Sequence, residues 1–181
     1  SGGGLVKIVA GMLTVDGSIL ADGGNGSASG QASGGGSGGG VFINVSALAG
    51  VGTISAKGGA SSLGVGAGGG GRIAIYYDTL TLPAASMIAS GGKGGNGSTG
   101  AINGGAGTIY LKSNAQTHGD LIVDNAGTTP RDDSTQLSVI GRGTVSALAS
   151  TSLSNSAATW MPGALKGLKV NPNINQGMTF T

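Results

Sequence analysis

An eight-residue motif that returns about every 34 residues is the feature that most restricts how this sequence can fold. The best copy runs from Gly52 to Gly59 and reads GTISAKGG. Related copies begin at Gly17, at Ala85 and, less closely, at Gly119. Repeats of this length are typical of stacked architectures, in which each unit buries its apolar face against its neighbours. The chain is therefore expected to contain about four similar units.

A short apolar run precedes each copy of the motif and predicts a strand in every unit. These runs are rich in β-branched or aromatic residues and lie next to glycine, which is typical of strands; they cover residues 5–9, 41–45, 72–77 and 108–112. Stacking like on like predicts an all-β fold, namely a parallel β-helix (β-solenoid) of about four coils. Alternation along these strands predicts an inward core of Ile43, Val45, Ile54, Ile73, Ile75, Ile109 and Leu111.

Glycine occupies 41 of the 181 positions, and much of it lies in three long arms at 23–40, 58–71 and 91–107. The arms carry almost no apolar side chains, so packing cannot stabilise them as helices or half-buried strands. Two interpretations are open. The arms are flexible surface loops, or they lie side by side as extended polyglycine II helices joined by backbone hydrogen bonds.

The repeat is lost after about residue 126, and this loss predicts two regions. Residues 1–126 are interpreted as the glycine-rich β-solenoid repeats, and residues 127–181 as a non-repetitive C-terminal β segment. The second region has strand-like runs and polar turns, and it contains the single tryptophan, Trp160.

Charge and cysteine content exclude several classes of protein. The net charge is only +2 and the charged residues are scattered singly, so no basic stripe is present to bind nucleic acid. No apolar run reaches 18 residues, so no membrane span is predicted. The sequence has no cysteine, which excludes disulfides and thiolate metal sites. The absence of cysteine is compatible with the cytosol and is also common in bacterial surface proteins. Because small polar residues are numerous, we expect an extracellular or cell-surface location.

The residues that could carry chemistry are few. Calcium-binding β-rolls need an Asp after the glycines of each turn, and the matching positions here lack one. The seven carboxylates show no pairing of the kind used in glycoside hydrolysis. We therefore expect no enzyme activity, no cofactor and no metal. Four aromatic residues could form a sugar-stacking face or could simply pack the fold: Tyr76, Tyr77, Tyr110 and Trp160.

Four stretches carry a resemblance to a known class of protein. They are GGGGRIAIYY at 68–77, ASGG at 89–92, GGAGTIYLK at 104–112 and GDLIVDN at 119–125, and the tail with Trp160 and GLKVNPN at 167–173 looks like a module that often follows such regions. In these stretches the chain resembles the glycine-rich β-helical repeat regions of very large secreted or surface-anchored bacterial proteins. The resemblance implies a role as a spacer, an adhesin stalk or a fibre segment, and it brings no set of catalytic residues.

The function expected from these observations is structural. The chain is interpreted as a segment of a bacterial extracellular fibre, stalk or adhesin, whose partners are further copies of itself or flanking domains of a larger protein. Strand-like sequence near both ends of the chain motivates the hypothesis that copies stack head to tail into filaments. The alternative is a carbohydrate- or receptor-binding module of an adhesin or phage fibre, with a glycan as partner.

Overall fold

The computed structural model of the protein describes residues 1–27, 33–62, 64–95, 102–129, 144–149 and 152–158. The chain divides into two compact units, Ser1–Thr135 and Gln136–Thr181. The boundary at 126/127 suggested by the repeats stays a prediction.

The first unit is built from short strands, most of them the β-branched runs that precede or form the repeated motif. Its strands are β1 (Leu5–Thr14), β2 (Ser18–Leu20), β3 (Gly40–Ala49), β4 (Thr53–Ser55), β5 (Arg72–Tyr77), β6 (Thr79–Leu80), β7 (Met87–Ile88), β8 (Thr108–Ser113) and β9 (Asp120–Ile122). A 3-10 turn, Ala84–Ser86, follows Pro83. The described part of the chain contains no α-helix, so the all-β class is confirmed.

Six of these strands form one mixed sheet, called the main sheet below. Its order is β1-β3-β5-β8-β9, and β6 pairs with the later part of β3. β1, β3, β5 and β8 are parallel, and their register aligns Ile8, Ile43, Ile75 and Leu111 in one row. Each of the four strands therefore carries an apolar residue at this position. The side chains of neighbouring strands pack against one another along the row.

A second, three-stranded parallel sheet is formed by β2, β4 and β7 and is called the minor sheet. Its inward residues Ile54 and Met87 belong to the same apolar cluster as the inward residues of the main sheet. All seven positions expected in the core are buried in the structure: Ile43, Val45, Ile54, Ile73, Ile75, Ile109 and Leu111. The buried side chains are mostly aliphatic, which fits the small aromatic content of the sequence.

The prediction of a parallel β-helix of about four coils is wrong. The structure instead contains several small sheets, and the largest is mixed because β9 runs antiparallel to β8. The fourth copy of the motif therefore turns back on β8 of its own unit instead of stacking on the minor sheet. The physical reason is the turn at 114–119, where the amide of Gln116 donates to the carbonyl of Ser113 at 3.0 Å, because a short turn permits an antiparallel return. In the first two units, β1 and β3 instead stay extended to Thr14 and Ala49 before the motif begins.

The described parts of the glycine arms contact one another through backbone hydrogen bonds. The amide of Gly36 donates to the carbonyl of Gly24, and the amide of Gly59 donates to the carbonyl of Gly36, both at 2.8 Å. The series continues from Gly68 to Gly59, from Gly92 to Gly68 and from Gly104 to Gly92. We call these hydrogen-bonded arm residues, within 23–27, 33–39, 58–62, 66–71, 91–95 and 102–107, the glycine layer.

In the second unit, the described residues form an antiparallel hairpin of β10 (Ala147–Ala149) and β11 (Ser152–Ser154). The hydroxyl of Ser146 donates to the carbonyl of Ser154, and it accepts the amide of Ser156 at 2.9 Å. These side-chain hydrogen bonds close the open end of a hairpin that is too short to be stable from its ladder alone.

Candidate functional site

The glycine layer is held at a separation that permits no side chain at many of its positions. A Cβ added to Gly68 would overlap the carbonyl oxygen of Gly36, and one added to Gly104 would overlap that of Gly68. The obstructing atoms are backbone, which cannot move without breaking the layer. Neighbouring positions differ, since a Cβ on Gly69 would meet nothing closer than 3.8 Å and one on Gly105 would meet nothing within 4 Å. Glycine is therefore required sterically at many places in the layer, including the adjacent pairs Gly58–Gly59 and Gly70–Gly71, but not throughout.

Two of the aromatic residues singled out from the sequence meet on the outer face of the main sheet. The rings of Tyr76 and Tyr110 lie 6.0 Å apart between centroids, and the ring of Phe42 lies 5.7 Å from that of Tyr76. The ammonium group of Lys7 sits 5.9 Å from the centroid of Phe42. Lys112 is placed directly opposite Tyr76 by the pairing of β5 with β8. We call Phe42, Tyr76 and Tyr110 the aromatic stripe.

The geometry of the aromatic stripe fits packing better than a flat platform for a sugar. Its rings are inclined to one another by 44° and 64°, so that ring edges meet neighbouring faces. Such tilted and edge-on pairs are favourable contacts between rings. All three residues are half-buried, and the hydroxyl of Tyr110 accepts the amide of Gly119 at 3.2 Å. The stripe thus ties β3, β5 and β8 together and anchors the turn into β9.

The other two aromatic candidates do not join this stripe. Tyr77 is half-buried and packs against the apolar core, together with Leu80 and Ile122. Trp160 lies outside the described residues. The structure therefore brings together Tyr76 and Tyr110 and separates Tyr77 from them.

Most of the described carboxylates serve as hydrogen-bond acceptors for the fold. Asp22 Oδ1 accepts the hydroxyl of Ser55 at 2.5 Å and the amide of Lys57 at 2.6 Å. Asp78 Oδ1 accepts from the side chain of Asn114 at 2.7 Å. These contacts join successive units, because the partners lie about one repeat apart in sequence. The carboxylates consequently accept hydrogen bonds between successive units, as backbone carbonyls do elsewhere in the fold.

Charged groups do not converge within the part of the chain that the structure describes. No group of three or more His, Cys, Asp or Glu side chains is close enough there to hold a metal ion. The ion pair between Lys57 and Asp22 is long, at 3.9 Å, and both side chains are partly exposed. Over the same residues, no helix has the length and hydropathy needed to cross a membrane.

One end of the glycine layer is closed by the side chain of Asn125. Its Oδ1 accepts the amide of Gly91 at 2.7 Å, and its Nδ2 donates to the carbonyls of Gly104 at 3.0 Å and Thr128 at 2.7 Å. A side-chain amide thus supplies the hydrogen bonds that another glycine segment would make. Beside it, β9 pairs with the outer edge of β8. This end of the first unit is therefore capped.

The opposite end of the main sheet is an open edge. β1 pairs with β3 on one side, and no described strand pairs with its other side. Its Leu5, Val9 and Met12 side chains are exposed, with Leu5 at 77%. A long unpaired edge of this kind is a template for another strand.

Sequence reasoning missed three residues that matter for these features. Phe42 lies between two inward residues, so alternation would have placed it on the outer face near Tyr76. Asn125 stands where the first three motif copies have glycine, namely Gly23, Gly58 and Gly91. Lys7 gives no such signal, because its contact with Phe42 depends on the register between β1 and β3.

Comparisons with protein-family models, with curated proteins and with solved structures found no match to this chain.

Proposed function

We propose that this chain is a structural segment of a bacterial extracellular or cell-surface protein, acting as a spacer in a fibre, stalk or adhesin, without enzyme activity. The observation that carries the proposal is the glycine layer. Several of its amides donate to carbonyls about one repeat away, as from Gly26 to Ala60 and from Gly70 to Gly105, and others join residues closer in sequence. Its spacing excludes a side chain at many positions. Such a layer presents almost no groups for chemistry but connects all three glycine arms through backbone hydrogen bonds.

The two parallel ladders support the same role. β1, β3, β5 and β8 are joined in register on one side of the core, and β2, β4 and β7 on the other. A force that separates the ends of this unit must break many hydrogen bonds, each of which contributes about 0.5–1.5 kcal/mol net. Resistance to extension is the property that a spacer needs.

Head-to-tail filament growth has less support than the spacer role. A new copy that continued the ladder at β8 would have to occupy the edge that β9 covers, and it would have to replace the hydrogen bonds of Asn125. We therefore propose that the chain acts as a spacer and that this role does not require copies to polymerise end to end.

Mechanical unfolding of single molecules tests the proposal. The full chain is held by its two ends and extended at constant speed, in parallel with G68A and G69A variants. We expect a discrete rupture in the parent chain, a lower rupture force in G68A, and an unchanged force in G69A, because only the first variant forces a Cβ into the backbone of Gly36. Smooth extension of the parent chain without a rupture event would refute a mechanical role.

Location needs a separate measurement. Antibody raised against the chain should label intact cells of the producing organism if the segment is displayed outside the cell. Labelling that requires permeabilised cells would contradict the extracellular part of the proposal.

A second candidate function, glycan binding, is favoured by one observation, the aromatic stripe flanked by Lys7 and Lys112. A glycan array tests it with the Y76A variant, which removes the central ring, and the Y77F variant, whose change lies on the core side of the sheet. Saturable binding that is lost in Y76A and kept in Y77F would support a sugar site at the stripe. Absence of binding by the parent chain would leave the stripe a packing feature.

A further inference from the structure

The outer edge of β1 carries regularly spaced backbone groups that point away from the rest of the sheet. The amide of Gly40 donates to the carbonyl of Gly4 at 2.9 Å, and Gly40 lies directly opposite Leu5. In a parallel ladder, a residue bonds to the two neighbours of the residue opposite it. The amides and carbonyls of Leu5, Lys7 and Val9 therefore face outwards, where no described strand receives them.

The side chains along this edge repeat the core pattern without the burial that it has elsewhere. Val6, Ile8 and Leu13 align with Val41, Ile43 and Leu48 of β3, which are buried. The three β1 residues are only half-buried, and Ile19 of β2 is half-buried in the same way beside Ile54. A further strand beside β1, with apolar residues at the matching positions, would therefore complete the burial of these side chains.

β1 also lacks most of the devices that protect an edge strand from pairing. It contains no proline, and over residues 5–10 its register with β3 advances without a break. Its single charged side chain, Lys7, lies over the ring of Phe42 on the neighbouring strand. The exposed edge is thus accessible and nearly neutral.

We propose that two copies of this chain pair through their β1 strands, antiparallel, about a two-fold axis at Ile8. In this register Ile8 faces Ile8 of the second copy, and Lys7 faces Val9 of the second copy. The outward-facing groups of Lys7 and Val9 then form hydrogen-bonded pairs, while inward side chains meet inward side chains. One register thus satisfies the backbone hydrogen bonds and also matches the apolar faces, so the edge is complementary to itself.

The cap at the far end of the main sheet favours this two-fold contact over a head-to-tail contact. A head-to-tail contact joins β1 of one copy to the β8 edge of another, and β9 already pairs with that edge. An isologous contact uses the same open edge twice and leaves the caps at β9 and Asn125 undisturbed. The contact closes after two copies, so it produces dimers and no filaments. It is independent of whether the chain acts as a spacer.

Cysteine cross-linking tests the axis directly, because the chain has no cysteine of its own. The I8C variant places two thiols across a non-hydrogen-bonded antiparallel pair, where Cα atoms are about 4.5 Å apart, within the range that disulfides span. The matched control is L13C, which is half-buried on the same strand but lies away from the axis. We expect oxidised I8C to run as a covalent dimer on non-reducing gels and L13C to remain monomeric. Equal cross-linking of the two variants would overturn the proposed register.

Charge substitutions at Val9 provide a second measurement that needs no introduced cysteine. The side chain of Val9 is 66% exposed, so these variants should fold normally. V9K puts a lysine opposite Lys7 of the second copy, whereas V9E puts a carboxylate there. Sedimentation equilibrium of the full chain should show a monomer–dimer equilibrium whose Kd rises by about two- to thirtyfold in V9K but not in V9E. The double variant K7E/V9K should recover the parent Kd.

Three results would refute the dimer. They are a monomer at every concentration, assemblies that grow beyond two copies, and equal effects of V9K and V9E. The first result would indicate that the β1 edge pairs with a strand of another protein. The second would indicate head-to-tail assembly.

Discussion

At the scale of single residues, the glycines of the layer divide into positions that exclude a side chain and positions that tolerate one. Gly104 and Gly105 are adjacent examples of the two kinds. We expect G104A to lower the free energy of unfolding by about 1–3 kcal/mol, since the added methyl group meets backbone atoms of Gly68. G105A should be neutral or should stabilise by up to about 1 kcal/mol, because alanine restricts the unfolded chain. Urea unfolding followed by circular dichroism measures both, and equal destabilisation would show that the layer is looser than described.

Asn125 is a residue whose side chain takes the part of a backbone segment. N125D removes both donations, to Gly104 and to Thr128, and brings a carboxylate towards two carbonyl oxygens. The expected loss is about 1–3 kcal/mol of unfolding free energy, measured in urea at neutral pH. Q116E makes the matching amide-to-acid change at an exposed turn position and should alter the stability by less than about 0.5 kcal/mol. Similar losses in the two variants would mean that Asn125 does not cap the layer.

At the scale of elements, the value of an inward residue depends on whether its strand is central or at the edge. Ile8 and Ile43 share one row of the main sheet, but only Ile43 is fully buried. We expect I43A to cost about 2–5 kcal/mol, because it leaves a cavity between two neighbouring strands. I8A should cost distinctly less at protein concentrations low enough to keep the chain monomeric, since its site is already half open. Unfolding free energies at matched dilution measure the difference, and an equal cost at both sites would indicate that β1 is covered in the monomer.

At the scale of the whole molecule, stability should depend little on salt. Only 9% of residues are charged, and the ion pair found among the described residues is partly exposed. Exposed pairs of this kind contribute about 0–1 kcal/mol. Raising NaCl from about 0.05 to about 0.5 M, which strongly shortens the screening length, should change the unfolding free energy by less than about 1 kcal/mol. A change beyond about 2 kcal/mol would assign the scattered charges a larger role than the structure supports.

The local patterns in the sequence were enough to predict the class of the fold and the position of most strands. β-branched runs next to glycine become β3, β5 and β8, and inward alternation identifies Ile43, Ile75 and Leu111 as positions that the structure buries. These features follow from properties of short segments, because alternation and β-propensity act over a few residues. They do not say which strand pairs with which.

The candidate site shows the same limit. The sequence drew attention to Tyr76 and Tyr110, but their contact and the addition of Phe42 are diagonal relations between strands. The pairing offset between strands sets such contacts, and no single strand encodes that offset. Asn125 replaces a repeated glycine, and only the structure shows that its amide reaches Gly91 and Gly104.

The sequence by itself determined that the chain is all-β, that its units repeat, and that glycine segments lie between the strands. Only the tertiary structure decided that β9 returns antiparallel on β8, that one end of the first unit is capped, and that the edge of β1 is left open. The physical reason is that strand direction and edge cover depend on long-range pairing. The repeated motif is nearly the same in every unit, whereas its neighbours differ at the two ends of the stack.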